Sequence, residues 1–148
     1  MCLAIYKPKG KLVSYAALEA GFKKNSDGAG FAYNMGGKLI VEKGFFKFEE
    51  FIKAYEPHAN RQMVIHFRWA THGEKNSFNC HPWLIKVGDW SMATIHNGVL
   101  RVESTEEMSD TGHFVHGWLE PLLKNHSKKL WQEAGFKLMA EDFIGAGN

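Results

Sequence analysis

The chain lacks most of the features that mark a specialised environment. It has only two cysteines, Cys2 and Cys80, without regular spacing, which argues against a disulfide scaffold and fits a reducing compartment. No apolar run reaches the roughly 20 residues that cross a bilayer, and Lys7 arrives too soon for the apolar region of a signal peptide. A cytoplasmic protein without a membrane partner is expected. The net charge is only +2, so Lys23-Lys24 and Lys128-Lys129 read as solvated pairs and no nucleic acid is expected. Neither His-Glu-x-x-His nor Cys-x-x-Cys occurs. His113 and His116 share a helix face but fall short of the three ligands of a catalytic zinc, so no metal is expected. Gly28-Ala29-Gly30 lacks the third glycine of a dinucleotide loop, and no cofactor is expected. There are no internal repeats and no low-complexity linker.

What is there describes an ordinary globular chain, 45% hydrophobic and 23% charged over 148 residues. That length predicts a single domain over residues 1–148, able to bury roughly 68–70% of its unfolded surface. Cys2 to Tyr6 reads as a strand ended by Pro8 and Gly10. Ser14 caps a short helix through Phe22, and Asn25 to Gly30 is a turn. Phe31 to Met35 and Lys38 to Phe46 form a hairpin around Gly36-Gly37. Phe48 to Tyr55 is a helix stopped by Pro57. Met63 to Trp69 carries the strongest strand composition, and Thr71 to Pro82 is a polar loop. A strand from Ser91 to His96 runs into the Asn97-Gly98 turn. Ser109 or Asp110 caps a helix to about Lys124, with Phe114, Trp118, Leu122 and Leu123 near helical spacing. The tail from Ser127 to Phe143 holds one more helix. Mixed strands and helices without βαβ alternation predict an α+β fold.

The chemistry starts at Cys2. A small second residue usually allows the initiator methionine to be trimmed, leaving one residue with both a thiol and a free α-amine. With unperturbed pKa values of about 8.5 and about 8, the amine can act as the thiol's own base. Taken alone, Cys2 reads as a small hydrophobe opening a strand. Other clusters change the balance. Arg68 follows Val64-Ile65-His66-Phe67 at a strand end, where a guanidinium can hold an α-carboxylate by two parallel hydrogen bonds; alone, it is an ordinary surface arginine. Asn97 and Gly98 offer a side-chain amide and a backbone N–H to an oxyanion, although Asn-Gly is also the strongest short hairpin signal. Asp110 can hold an ammonium, or serve only to cap a helix. Cys80-His81 pairs a thiol with an imidazole, but adjacent residues in an extended chain point apart, so this pair reads as structural. The aromatics Phe67, Trp69, Trp83, Trp90 and Trp118 read as core.

In order and spacing, Cys2, Asn25-Ser26-Asp27-Gly28-Ala29-Gly30, Arg68-Trp69-Ala70-Thr71-His72-Gly73, Asn79-Cys80-His81-Pro82, His96-Asn97-Gly98 and Ser109-Asp110-Thr111 resemble the class II glutamine amidotransferase domain of the N-terminal-nucleophile hydrolases. The likeness runs from Cys2 to about residue 125. It implies a four-layer αββα sandwich whose first strand delivers the nucleophile. It also implies hydrolysis of the glutamine side-chain amide through a thioester on Cys2. Asn97 and Gly98 would form the oxyanion hole, Arg68 and Asp110 would hold the ends of the amino acid, and Trp69, Thr71 and His72 would line its site. Leu3 stands where the family usually has glycine, and Gly112 lies where an acidic residue often follows the aspartate. The family's domain is longer, so a C-terminally shortened sandwich is expected. Ammonia would pass to a separate synthase subunit, and unpaired strand edges would favour a homo-oligomer. A γ-glutamyl amide hydrolase on the same fold, or an inactive interaction domain, are the alternatives.

Overall fold

A computed structural model describes residues 1–126, 130 and 133–144. Residues 145–148 lie outside the described residues. The chain forms β1 (Leu3–Lys7), α1 (Tyr15–Lys24), β2 (Ala29–Met35), β3 (Lys38–Phe45), α2 (Phe48–Tyr55), a 3-10 turn (Glu56–His58) and β4 (Met63–Phe67). β5 (Trp83–Val87), β6 (Trp90–Thr94), α3 (Asp110–Phe114), a π turn (Val115–Leu119), α4 (Glu120–Asn125) and α5 (Ala134–Ile144) follow. All strand pairing is antiparallel, in a four-stranded sheet ordered β1-β4-β2-β3 and a two-stranded sheet of β5 and β6. Mixed helices and antiparallel sheets accord with the α+β expectation.

Period-two alternation decides which way each strand faces. On β4, Met63, Ile65 and Phe67 enter a core with Leu18 and Phe22 of α1 and Phe48, Phe51 and Tyr55 of α2. Leu3 and Ile5 of β1 pack against the same core, so Cys2 and Ala4, and likewise His66 and Arg68, belong to the opposite face of the sheet. α1 is capped by Ser14, whose Oγ accepts the Ala17 N–H at 3.2 Å. α1 lies close to the sheet because Gly21 has no side chain: a Cβ there would sit 2.8 Å from Leu3 Cδ2. Phe48, Phe51 and Tyr55 are buried at helical spacing on α2, and Glu49 and Glu50 in its first turn complement the macrodipole. The β2–β3 hairpin turns through Gly36 and Gly37, both at positive φ, as a tight two-residue turn requires.

The second core joins Trp83 and Ile85 of β5 to Leu100, Phe114, Val115, Leu119 and Leu123. Several expectations need correcting here. β5 falls where the sequence reading passed from a polar loop directly to the next strand. β1 begins at Leu3 and β4 ends at Phe67, because Arg68 leaves the ladder to bond Gly28 instead, its N–H donating to the Gly28 carbonyl at 2.8 Å. The Asn97-Gly98 pair is not a β-hairpin turn: β6 ends at Thr94 and pairs back onto β5 across Gly88 and Asp89. The helix from Asp110 to Asn125 widens into the π turn just before Pro121, which has no N–H for the helical ladder.

Candidate active site

Pairing of Leu3 with Phe67 brings Cys2 beside the residues that follow β4. The Cys2 thiol sits on the backbone of Trp69, accepting its N–H at 3.3 Å and donating to its carbonyl at 3.4 Å. Cys2 is half-buried, whereas Trp69, Thr71 and His72 are exposed. Two adjoining cavities meet at the thiol. One is lined by Cys2, Arg68, Trp69, Thr71, His72, Gly98 and Asp110 with neighbouring residues, and holds about 20 Å³, room for about one water. The other, of about 240 Å³, is bounded by Met1, Cys2, Trp69, Thr71, Gly98 and Val99. Of the residues proposed from sequence, the structure gathers all but Asn97, which is exposed and lines neither cavity.

Two of the sequence motifs interlock to build the floor. Gly28 lies against Cys80, where a Cβ would be 2.3 Å from Sγ, and Gly30 lies against the His81 carbonyl, 2.2 Å from a Cβ. Asp27 then holds the loop after β4: its Oδ2 accepts the Ala70 N–H at 2.9 Å and its Oδ1 pairs with Lys75 at 2.7 Å. Burial alone would raise the Asp27 pKa, but the Lys75 ammonium, the Ala70 N–H and the nearby Arg68 together hold it below the usual carboxylate value.

Arg68 is buried and turned into its own loop. Nη1 donates to the Glu74 carbonyl at 2.8 Å, and Nη2 donates to His72 at 2.7 Å and Gly73 at 3.2 Å. Burial lowers its pKa, opposed by Cys80, Cys2, Asp27 and Asp110; a guanidinium nonetheless stays charged. Gly73, at φ 72°, lets the loop press on α3, since a Cβ would meet the Ser109 nitrogen at 2.6 Å. Asn79 completes the clasp, donating to the carbonyls of Glu74 and Glu107 and accepting the Ser109 N–H. Ser109 is the N-cap of α3, which leaves Asp110 free of that role. The Asp110 carboxylate instead accepts the N–H groups of Leu100 at 2.6 Å and Thr111 at 2.7 Å.

Three histidines unmarked as site residues by the sequence reading sit beneath this loop. The rings of His66 and His81 pack against each other, tilted by 39° with centroids 4.1 Å apart, and His66 Nε2 lies 2.9 Å from the His96 carbonyl. Burial lowers the pKa of all three, that of His66 to about 4. The available signal was the alternation that puts His66 on the same face of β4 as Arg68. Among the described residues, no group of His, Cys, Asp and Glu is arranged to hold a metal.

No family model matches the chain. It is 37% identical over 100 residues to the glutamine–fructose-6-phosphate aminotransferase (isomerizing) of Aquifex aeolicus, a match covering 65% of this chain and 17% of that protein. The protein of the same name from Chlamydia trachomatis serovar D is 37% identical over 58% of this chain and 14% of its own length. That of Shewanella oneidensis is 40% identical over 50% of this chain and 12% of its own. Over these stretches the chain is similar to glutamine–fructose-6-phosphate aminotransferases. It spans less than a fifth of the length of those relatives. Their names agree with the likeness to class II glutamine amidotransferases drawn from the motifs.

Proposed function

We propose that the chain is a class II glutamine amidotransferase domain that hydrolyses the glutamine side-chain amide to glutamate and ammonia. The observation that carries this reading is the convergence of Cys2, Arg68, Gly98 and Asp110 on one cavity. After removal of Met1, the α-amine of Cys2 takes the thiol proton and the thiolate attacks the amide carbon. The carbonyl oxygen becomes an oxyanion, held by the Gly98 N–H and, after its side chain turns inward, by Asn97. The amine's proton goes to the departing nitrogen, ammonia leaves, and water then cleaves the thioester. Arg68 holds the substrate carboxylate with the N–H groups its loop bonds leave over, and Asp110 holds the ammonium with its remaining lone pairs. Trp69, Thr71 and His72 form the outer wall. The cavity of about 20 Å³ adjoins the one of about 240 Å³ at the thiol, which gives room for substrate beside Cys2.

Two helix-backed sheets support the finer reading of one domain over residues 1–148 as a four-layer αββα sandwich. A groove of about 250 Å³ lined by Tyr6, Ala32 and Val64 from one sheet and Met92 and Ala93 from the other fits two sheets facing each other. The relatives' names pair glutamine with fructose 6-phosphate; here the ammonia acceptor is assigned to a synthase unit outside the described residues. No described helix is long and apolar enough to cross a membrane, in keeping with a cytoplasmic location. The outer edges of β1, β3, β5 and β6 carry no strand among the described residues, and such edges invite a second copy of the chain.

The test joins intact-mass spectrometry to glutamate and ammonia release from glutamine. The mature chain is expected to begin at Cys2, and Cys2→Ala to abolish release while Cys80→Ala keeps most of it. A diazoketone analogue of glutamine should label Cys2. Quantitative retention of Met1, or full activity in Cys2→Ala, would remove the mechanism.

A further inference from the structure

The segment that carries Gly98 is not held by a strand. After β6 ends at Thr94 the chain runs through Ile95, His96 and Asn97 without regular pairing, yet Gly98 borders both cavities at the Cys2 thiol. One buried side chain reaches this segment from the sheet. His66, fully buried on β4, points to the same face as Arg68, and its Nε2 lies 2.9 Å from the His96 carbonyl. A carbonyl only accepts, so Nε2 carries the proton and donates. The other ring nitrogen, Nδ1, is buried and has no hydrogen-bond partner among the described residues. Burial disfavours a second proton on this ring.

The ring is also fixed sideways. The tilted His81 ring packs against it at 4.1 Å, and the His81 backbone is wedged against Gly30 of the neighbouring strand. His66 itself pairs with Gly30 on β2 and Ala4 on β1. The donor therefore belongs to a strand paired on both sides, while the acceptor belongs to an unpaired segment. We propose that His66 is a positioning residue: through the His96 carbonyl it sets the Ile95–Gly98 segment against the nucleophile, so that the Gly98 N–H meets the oxyanion without reorganisation. The inference rests on the amidotransferase reading for its catalytic consequence, but the anchoring itself is independent of it.

Two substitutions separate the hydrogen bond from the packing. His66→Leu keeps an apolar body of similar size and removes the donor. His66→Gln restores an amide N–H at about the reach of Nε2. In steady-state glutaminase assays His66→Leu is expected to lower kcat by about tenfold to a hundredfold with little change in KM, and His66→Gln to recover most of the loss. Amide hydrogen exchange reads the anchor without any activity: Gly98 should exchange about tenfold or more faster in His66→Leu, with Ile65 unchanged and Gln restoring protection. Equal protection of Gly98 in the parent and His66→Leu would overturn the proposal, as would equal kcat in the two. Loss of Ile65 protection alongside Gly98 in both variants would also overturn it, because it would reduce His66 to a general core residue. A parent that fails to hydrolyse glutamine sinks the amidotransferase reading instead, and the exchange data then decide the anchor alone.

Discussion

At the scale of single residues, the site is organised as much by what side chains omit as by what they supply. Gly30 has an ordinary φ, yet a Cβ there would lie 2.2 Å from the His81 carbonyl, 2.6 Å from Lys43 Cβ and 2.9 Å from the Glu42 carbonyl. Two of these three are backbone atoms of other segments and cannot turn aside. Gly117, by contrast, has nothing within 4 Å of an added Cβ. Gly30→Ala is therefore expected to lose about 1–3 kcal/mol in urea unfolding, whereas Gly117→Ala is neutral or slightly stabilising. Because the clash pushes on the segment that buries Cys80, Gly30→Ala should also speed modification of Cys80 by a thiol reagent. An unchanged Cys80 rate would mean that the Asn79–Pro82 segment is not seated by Gly30. Cys2, Arg68 and Asp110, the proposed site residues, could be nominated from sequence because the motifs that carry them resemble one family in order and spacing. The seating glycines were legible only as a turn, and His81 and His96 only as members of motifs, without their contacts: a glycine reports how near another segment comes, and that segment is distant in sequence.

At the scale of elements, helices and the hairpin were readable because their signals are local. Ser14 and Ser109 cap as their composition predicts, and Phe48, Phe51 and Tyr55 mark one helical face. β5 was not readable, since Trp83-Leu84-Ile85 follows a polar loop directly and its partner is only five residues long. Nor was the clasp between that loop and the start of α3, in which one side chain makes three of the bonds. Asn79 is fully buried and bonds three backbone groups on two segments, the carbonyls of Glu74 and Glu107 and the Ser109 N–H. Asn79→Ala would remove the partner of the Glu107 carbonyl and of the buried Ser109 N–H, whereas the Glu74 carbonyl keeps Arg68. The expected result is a loss on the order of 2 kcal/mol in chemical denaturation. A rise in the KM for glutamine should accompany it, because Arg68 sits on one side of the clasp and Asp110 on the other. Lost stability with an unchanged KM would show that the clasp supports the fold without setting the distance between those two groups.

At the scale of the whole molecule, a group of three imidazoles, His66 and His81 buried and His96 half-buried, gives stability a defined dependence on pH. Burial lowers the pKa of His66 to about 4, with Arg68 and His96 adding to the effect and the His96 carbonyl opposing it. Burial likewise lowers His81, faced by His66, His96, Arg68 and Lys43, and lowers His96, where Asp110 works in the other direction. A histidine in the unfolded chain titrates near 6.5, so as pH falls below that value the unfolded state takes up protons that the folded state refuses. The stabilisation is therefore complete above about pH 6.5 and is lost progressively as pH drops toward 4. Asp27, held below its ordinary value of 3.8, contributes stability above that value and loses it only at lower pH, so the two windows separate. Melting curves followed by circular dichroism from pH 8 to 4 should show Tm falling through the histidine window. His66→Gln, which keeps the donor but cannot titrate, should flatten that fall, while Asp27→Asn should leave its shape unchanged. This grouping was invisible in the sequence because His66, His81 and His96 are separated by 15 residues at each step and come from a strand, a loop and an unpaired segment. Curves for the parent and His66→Gln that run parallel from pH 7 to pH 4 would show that the buried imidazoles do not limit the molecule's acid stability.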